Sequence, residues 1–177
     1  YLNRWFEFFK SEYKENQSDL IKNILENCEK PIVIIMGDAI SLSIGNEIRN
    51  KLDTSIECSL KVVRVNIPSE TATTMSALFS CGEDVFKTRK ERHARLTQAL
   101  DCKIEFDELD KFWGMNTSDS HLILYAGDID QLGEKQGISA LKYYDNFIKS
   151  VKDKISFLLN NGYLEVYLIS DHGFIIY

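Results

Sequence analysis

Four short segments of the sequence carry side chains that could perform chemistry, and each segment contains or follows a hydrophobic run. The segments are PIVIIMGDAI, IPSETATTM, YAGDIDQLGE and LISDHGF. Carboxylate oxygens and imidazole nitrogens are ligands for zinc or manganese, and closely placed acids repel one another unless a cation neutralises them. The segments therefore predict a metal site. Its candidate residues are Asp38, Thr71, Asp130, Glu134, Asp171 and His172.

The loop around Thr71 adds a hydroxyl group just before a predicted helix. The free N–H groups and the dipole at the start of a helix favour an anion such as phosphate. A threonine oxygen held on a metal loses its proton more easily and can attack phosphorus. On local grounds Ser69, Thr73 and Thr74 compete with Thr71 for this role, and each hydroxyl could instead cap the helix.

The other candidates also have structural alternatives. Acidic residues at strand ends are common in turns and caps, and Asp128 could replace Asp130 as a ligand because neighbouring residues of an extended chain point in opposite directions. The pair Asp171-His172 is more specific, since a histidine that follows an acid at a strand end has little reason to be there for packing. His121 opens a predicted strand and is expected to be a packed or surface residue.

The elements that must position these residues alternate between strands and helices. Strands are predicted at residues 32–36, 60–67, 121–127 and 163–170. Helices are predicted within a lead-in over residues 1–30, after Asp38, from Met75 to Gly82, at 85–99 and at 138–160. This order predicts an α/β fold with a mostly parallel sheet sandwiched by helices, in which ligands bind at the carboxyl ends of the strands. All four segments fall at such ends.

Composition excludes several other classes of protein. The chain has 177 residues, 44% hydrophobic content and a net charge of -6, so we expect one domain and neither a general nucleic-acid coat nor a membrane-surface module. No apolar stretch approaches the roughly 20 residues of a membrane span. The chain begins without methionine and stops just after the apolar run GFIIY, from which we expect a fragment of a longer protein.

Two further groups of residues have mainly structural interpretations. Four widely spaced cysteines without a CxxC pair, Cys28, Cys58, Cys81 and Cys102, are expected to be small reduced core residues of a cytoplasmic protein. The run KTRKERHAR, which contains His93, is expected to form a solvated helix face. Its alternative role is a positive patch that guides an anionic substrate, such as an oligonucleotide, toward the metal.

The four segments together resemble those of a known family. GDAI after an apolar strand, PSETATTMSALF, YAGDIDQLGE and LISDHGF are similar in order and context to the PglZ domain, a branch of the alkaline phosphatase superfamily. The resemblance spans residues 31–174 and is strongest at SDHGF and at the PSxT loop. It implies an alkaline-phosphatase-like core over residues 31–177, after the helical lead-in at 1–30, with the C-terminal part of the core missing.

The resemblance also implies roles for individual residues. Asp38, Thr71, Asp171 and His172 match the ligands of one metal ion, and Thr71 occupies the position of the nucleophile. Asp130 and Glu134 match the start of a second metal site. A further histidine ligand of the family lies beyond the last strand, where this chain stops at Tyr177. The resemblance thus implies two zinc ions, or manganese in their place, in the full-length protein.

The function that the resemblance implies is metal-dependent hydrolysis of a phosphate ester by a phosphodiesterase or phosphatase. Nucleotides or oligonucleotides are candidate substrates, and the setting is bacterial phage defence of the BREX type or signalling, with other proteins of those systems as partners. The alternative is a PglZ interaction module with little or no turnover. Glu134, where many superfamily members have histidine, and Ser41, where the motif DALR has arginine, favour that alternative.

Overall fold

A computed structural model describes residues 17–63, 65, 70–79, 84–114, 119–128 and 141–172. Its strands are β1 (Val33–Asp38), β2 (Ile104–Glu108), β3 (His121–Asp128) and β4 (Val166–Ser170). Its helices are α1 (Leu20–Glu26), α2 (Leu42–Lys51), α3 (Thr71–Leu78), α4 (Arg89–Ala99) and α5 (Leu141–Asn160). The four strands pair in the order β2-β3-β1-β4, and every pairing between them is parallel.

Strand β1 lies between β3 and β4 and is apolar on both faces, as a central parallel strand must be. Val33 and Ile35 face a core built with helices α2 and α5, whereas Ile34 and Met36 face a core built with α1, α3 and α4. These four side chains are fully buried. The predicted α/β fold, a parallel sheet sandwiched by helices and consistent with an alkaline-phosphatase-like core, is therefore confirmed.

Several predicted elements are present with shifted ends. The helix predicted from Met75 to Gly82 begins earlier, at Thr71, and ends at Leu78. The basic helix predicted at 85–99 begins at Arg89, because Thr88 caps it by accepting a hydrogen bond from the Glu91 N–H while the Glu91 carboxylate accepts one from the Thr88 N–H. The long helix predicted at 138–160 is described from residue 141 onward. Residues 1–16, in the predicted helical lead-in, lie outside the described residues.

One expectation about local structure is wrong where the chain is described, and one strand of the sheet was not predicted. A strand was expected at residues 60–67, but residues 60–63 and 65 have no regular structure, and Leu60 and Val62 are exposed. A strand-like composition was not sufficient here, because strand formation also depends on packing against neighbouring strands. The sheet instead gains β2, which pairs with β3 from Ile104↔His121 to Glu108↔Tyr125. In β2, half-buried residues alternate with exposed ones.

The cysteines also differ in part from expectation. Cys28, Cys58 and Cys102 are free thiols, but Cys58 is exposed and so does not fill the core. Cys81 lies outside the described residues. None of the helices in the described part of the chain combines the length and the apolar surface that crossing a membrane requires.

Candidate metal centre

Two neighbouring parallel strands and one helix bring the candidate site together. Asp38 ends β1, and Asp171-His172 directly follow β4. Because β1 and β4 pair in parallel, with Gly37 opposite Ser170, their carboxyl ends lie at the same edge of the sheet. Helix α3 begins there with Thr71. The structure therefore places four of the six predicted site residues in one cluster.

Short distances join the side chains of this cluster. The Thr71 hydroxyl oxygen lies 3.4 Å from Asp38 Oδ1 and 3.3 Å from His172 Nε2. His172 Nε2 lies 3.5 Å from Asp38 Oδ1 and 3.5 Å from Asp171 Oδ2. One ligand atom each from Asp38, Asp171 and His172 lies within 4.8 Å of the other two.

These separations fit a shared cation better than they fit hydrogen bonds. Hydrogen bonds between oxygens have a usual length of about 2.7 to 2.8 Å, and those from nitrogen to oxygen about 2.9 to 3.0 Å. Four ligands at bonds of roughly 2.0 to 2.2 Å in a tetrahedron lie about 3.3 to 3.6 Å apart. Four of the six pairs among these side chains, at 3.3 to 3.5 Å, fall in the second range. Two carboxylates, an imidazole and a hydroxyl are thus a donor set that fits zinc or manganese.

Asp171 is the most enclosed member of the cluster, with a fully buried carboxyl group. Its Oδ1 accepts a hydrogen bond from the Ala39 N–H at 3.1 Å, and its Oδ2 accepts one from the Thr74 hydroxyl at 3.0 Å. Burial raises the pKa of Asp171, and these hydrogen bonds oppose that rise. A positive ion beside the carboxylate would also offset the cost of keeping it charged.

The backbone after β1 is shaped to reach Asp171. Ala39 has a left-handed conformation, with φ of 56°, which is unfavourable for a residue with a Cβ. This conformation lets two successive N–H groups contact the end of β4: Ala39 donates to Asp171, and Ile40 donates to the Ser170 hydroxyl at 2.8 Å. The strained turn therefore locks the tips of β1 and β4 together.

The start of α3 lies at Thr71, beside the candidate site. The first N–H groups of an α-helix have no partner within the helix, and in α3 they include those of Thr71, Ala72 and Thr73. They lie beside the Thr71 hydroxyl, which contacts Asp38 and His172. Partial positive charge at this end of the helix favours a phosphate next to the cluster.

The remaining predicted site residues are not part of this cluster as described. Asp130 and Glu134 lie outside the described residues, so their predicted place in a second metal site stays a prediction. The backbone of Asp128 pairs with that of Asp38 at the end of β3, and the choice between Asp128 and Asp130 stays open. His121 is a packed residue, as expected, with 7% exposure and its Nδ1 accepting a hydrogen bond from the Ile32 N–H.

The expectation of a solvated face at His93 is wrong. Its imidazole stacks on the Phe106 ring at 3.7 Å, and its Nε2 lies 2.7 Å from the Tyr125 hydroxyl. Arg92, next to it in α4, is also buried and donates to the Phe86 carbonyl at 2.8 Å. Part of the basic run therefore packs against the sheet.

Thr74 and Ala39 contribute to the site in ways that the sequence analysis missed. The sequence predicts Thr74 only as an alternative nucleophile or a helix cap, whereas its hydroxyl contacts Asp171. Its spacing of three residues from Thr71, on one face of a helix that begins at Thr71, is the signal that points to it. No comparable signal marks Ala39, because a left-handed alanine has no sequence signature.

A parallel α/β sheet with acids, a histidine and a helix N-terminus at its carboxyl edge has its candidate site where proteins of this architecture bind ligands. The family model for the PglZ domain, described as the BREX system PglZ alkaline phosphatase-like domain, matches residues 17–177. The chain belongs to this family and is thereby related to the phosphoesterase superfamily, whose members generally use metals. A search of curated proteins finds no match.

Proposed function

We propose that this protein is a metal-dependent phosphohydrolase, a phosphodiesterase or phosphatase, in which Thr71 is the nucleophile. The observation that carries the proposal is the spacing of the four donor atoms of Asp38, Thr71, Asp171 and His172. Four of the six separations among them are 3.3 to 3.5 Å, as for ligands around one ion, and the cluster lies at the edge of a parallel sheet where such folds bind their ligands. Zinc is the proposed metal, and manganese is the alternative.

Each residue of the cluster has a defined part in this chemistry. Asp38, Asp171 and His172 would hold the ion, together with the Thr71 hydroxyl oxygen. The bound ion would favour loss of the Thr71 proton and would draw charge from the phosphate oxygens. Thr71 would attack phosphorus as the bond to the ester's alcohol breaks, and the proton lost by Thr71 would leave with that alcohol. Water would then cleave the bond between Thr71 and phosphorus, which releases phosphate and restores the hydroxyl. The N–H groups at the start of α3 would bind the phosphate oxygens. Asp130 and Glu134 would contribute to a second metal site.

The proposed substrate is a phosphate ester, with nucleotides and oligonucleotides as candidates. The proposed setting is BREX-type phage defence or a signalling pathway, with other proteins of those systems as partners. The description of the matched family as part of the BREX system supports this setting.

A second candidate function is a PglZ interaction module with little or no turnover. Ser41 favours it, because this residue stands where the family motif has arginine. Its hydroxyl caps α2 by accepting a hydrogen bond from the Ile44 N–H. A short uncharged side chain at this position cannot supply the cation that would neutralise a phosphate in the transition state.

Hydrolysis of a chromogenic phosphodiester and a chromogenic phosphomonoester by the intact protein tests the proposal. Activity is measured with and without zinc or manganese, beside the variants Thr71→Ala and Asp171→Ala. Thr73→Ala is the matched control, because it makes the same chemical change in the same helical turn without removing the proposed nucleophile. We expect metal-dependent turnover that falls to background in the two site variants and persists in Thr73→Ala.

The alternative outcomes assign the function differently. A folded, metal-loaded protein without turnover would contradict the enzyme and support the interaction module. Turnover that survives Thr71→Ala but not Thr73→Ala would move the nucleophile to the other hydroxyl. The ratio of diester to monoester hydrolysis defines the substrate class further.

A further inference from the structure

We propose that Thr74 is a positioning residue of the metal centre, which fixes the Asp171 carboxylate for metal binding through its hydroxyl group. This inference rests on the proposed function, because it assigns a task to Thr74 within that same site. Thr74 is fully buried, so its hydroxyl must find its partners within the protein.

The local contacts identify Asp171 as the acceptor of the Thr74 proton. The Thr74 hydroxyl oxygen lies 3.0 Å from Asp171 Oδ2 and 2.9 Å from the Glu70 carbonyl oxygen. The single hydroxyl proton can serve only one of them well. The Glu70 carbonyl can accept two hydrogen bonds, but it is already satisfied by the one from the Thr74 N–H at 2.9 Å and does not need the hydroxyl proton. A hydrogen bond to an ionised carboxylate is also roughly twice as strong as one to a neutral group.

The Asp171 carboxylate is thereby held at both oxygens. The Ala39 N–H contacts Oδ1 and the Thr74 hydroxyl contacts Oδ2, which also lies 3.5 Å from His172 Nε2 in the proposed ligand cluster. Two donors on different oxygens restrict rotation of the carboxylate. Such partners orient metal ligands, and losing one typically weakens metal affinity or activity by about 10- to 100-fold.

The same hydroxyl links Asp171 to the helix that carries the proposed nucleophile. Thr71 and Thr74 lie three residues apart in α3 and therefore project from the same side of the helix. The backbone at Thr74 is itself anchored, since Gln17 Nε2 donates to the Thr74 carbonyl oxygen at 3.1 Å. Thr74 thus fixes the position of Thr71 relative to a ligand of the same ion.

Three variants of the intact protein test this role. Thr74→Val keeps the branched shape and removes the hydroxyl, whereas Thr74→Ser keeps the hydroxyl and removes the methyl group. Ser76→Ala is the matched control, because Ser76 is also a buried hydroxyl residue of α3 but contacts Ala72 and Phe86 instead of Asp171. Zinc affinity is measured by competition with a chromophoric chelator, and circular dichroism checks the fold of each variant.

We expect zinc affinity to fall by about 10- to 100-fold in Thr74→Val. We expect Thr74→Ser and Ser76→Ala to bind zinc nearly as well as the wild-type protein. A role limited to stability would lower the thermal midpoints of Thr74→Val and Ser76→Ala alike while leaving both zinc affinities intact. That result would overturn the inference, as would equal losses of affinity in Thr74→Val and Thr74→Ser.

The experiment separates failure of this inference from failure of the proposed function. If the wild-type protein binds zinc and Thr74→Val binds it equally well, only the role of Thr74 is refuted. If the wild-type protein binds zinc without turnover, the proposed enzymatic function is refuted. A loss of zinc affinity in Thr74→Val would still support the positioning role. If the wild-type protein binds neither zinc nor manganese, both proposals fail.

Discussion

His93 makes the stability of the protein depend on pH in a way that a solvated helix face would not. Its imidazole is half-buried between the Phe106 ring and the Tyr125 hydroxyl, with Arg89 and Arg92 on its own helix. Burial, followed by the charges of Arg92 and Arg89, lowers the pKa of His93 from 6.5 to about 4. The folded protein therefore keeps this imidazole neutral at a pH where the unfolded chain protonates it.

The sign and the size of the effect follow from that pKa. Between pH 6.5 and pH 4 the unfolded state binds more protons at His93, so stability is full above pH 6.5 and is lost as the pH falls toward 4. The whole shift corresponds to about 3 kcal/mol. Because the imidazole is only partly buried, solvent screening reduces the expected contribution to about 1 to 2 kcal/mol.

Urea denaturation of the wild-type protein and His93→Gln at pH 7 and pH 4.5 measures this contribution. Glutamine can still bond to the Tyr125 hydroxyl but does not titrate. Carboxylates titrate in both proteins, so their effect cancels in the comparison. We expect the wild-type protein to lose about 1 to 2 kcal/mol more than the variant between the two pH values.

A control variant separates titration from loss of the hydrogen bond. Tyr125→Phe removes the hydroxyl partner but retains the imidazole, so it should keep the steep pH dependence of the wild-type protein. Equal losses of stability in wild type and His93→Gln would refute the packed, neutral His93.

Three further predictions concern the elements that position the site. Gly37→Ala should lower the free energy of unfolding by about 1 to 3 kcal/mol and reduce zinc content, because a new Cβ would collide with the Ile40 side chain next to Asp38. Unchanged stability and zinc content would contradict the close packing at this turn. Leu124→Ala should lower the free energy of unfolding, measured by urea denaturation, by about 2 to 5 kcal/mol, since Leu124 is fully buried. A loss below about 1 kcal/mol would show that Leu124 is not a core residue. Glu108→Gln should lower the free energy of unfolding by less than about 1 kcal/mol, because both side chains of its ion pair with Arg89 are exposed. A loss above about 2 kcal/mol would mean that the pair is buried.

The central strand and the long helix could be predicted because the pattern of their apolar residues indicates which faces are buried. Strand β1 is apolar on both faces, and α5 repeats apolar residues at helical spacing. Strand β2 could not be predicted with the same ease, since three of its five residues are acidic and acids have low strand propensity. Residues 60–67 are the opposite case. Their β-branched side chains favour a strand, but the described residues of this segment do not lie in the sheet.

The site shows the same division between local and long-range information. Adjacent parallel strands end at one edge of a sheet, so Asp38 and Asp171-His172 could be expected to meet. The packing of His93 could not be foreseen, because it requires β2, which was not predicted. The hydrogen bond from Thr74 to Asp171 joins residues 97 positions apart in the sequence, and only the tertiary structure brings them together.

The most direct test of the metal centre is an anomalous difference map, collected at the zinc absorption edge, from crystals of the intact protein grown with zinc. We expect a peak about 2.0 to 2.2 Å from the Thr71 hydroxyl oxygen, from one carboxylate oxygen each of Asp38 and Asp171, and from His172 Nε2. A map without a peak among these four side chains, while the protein is folded and zinc is in excess, would contradict the proposed metal centre.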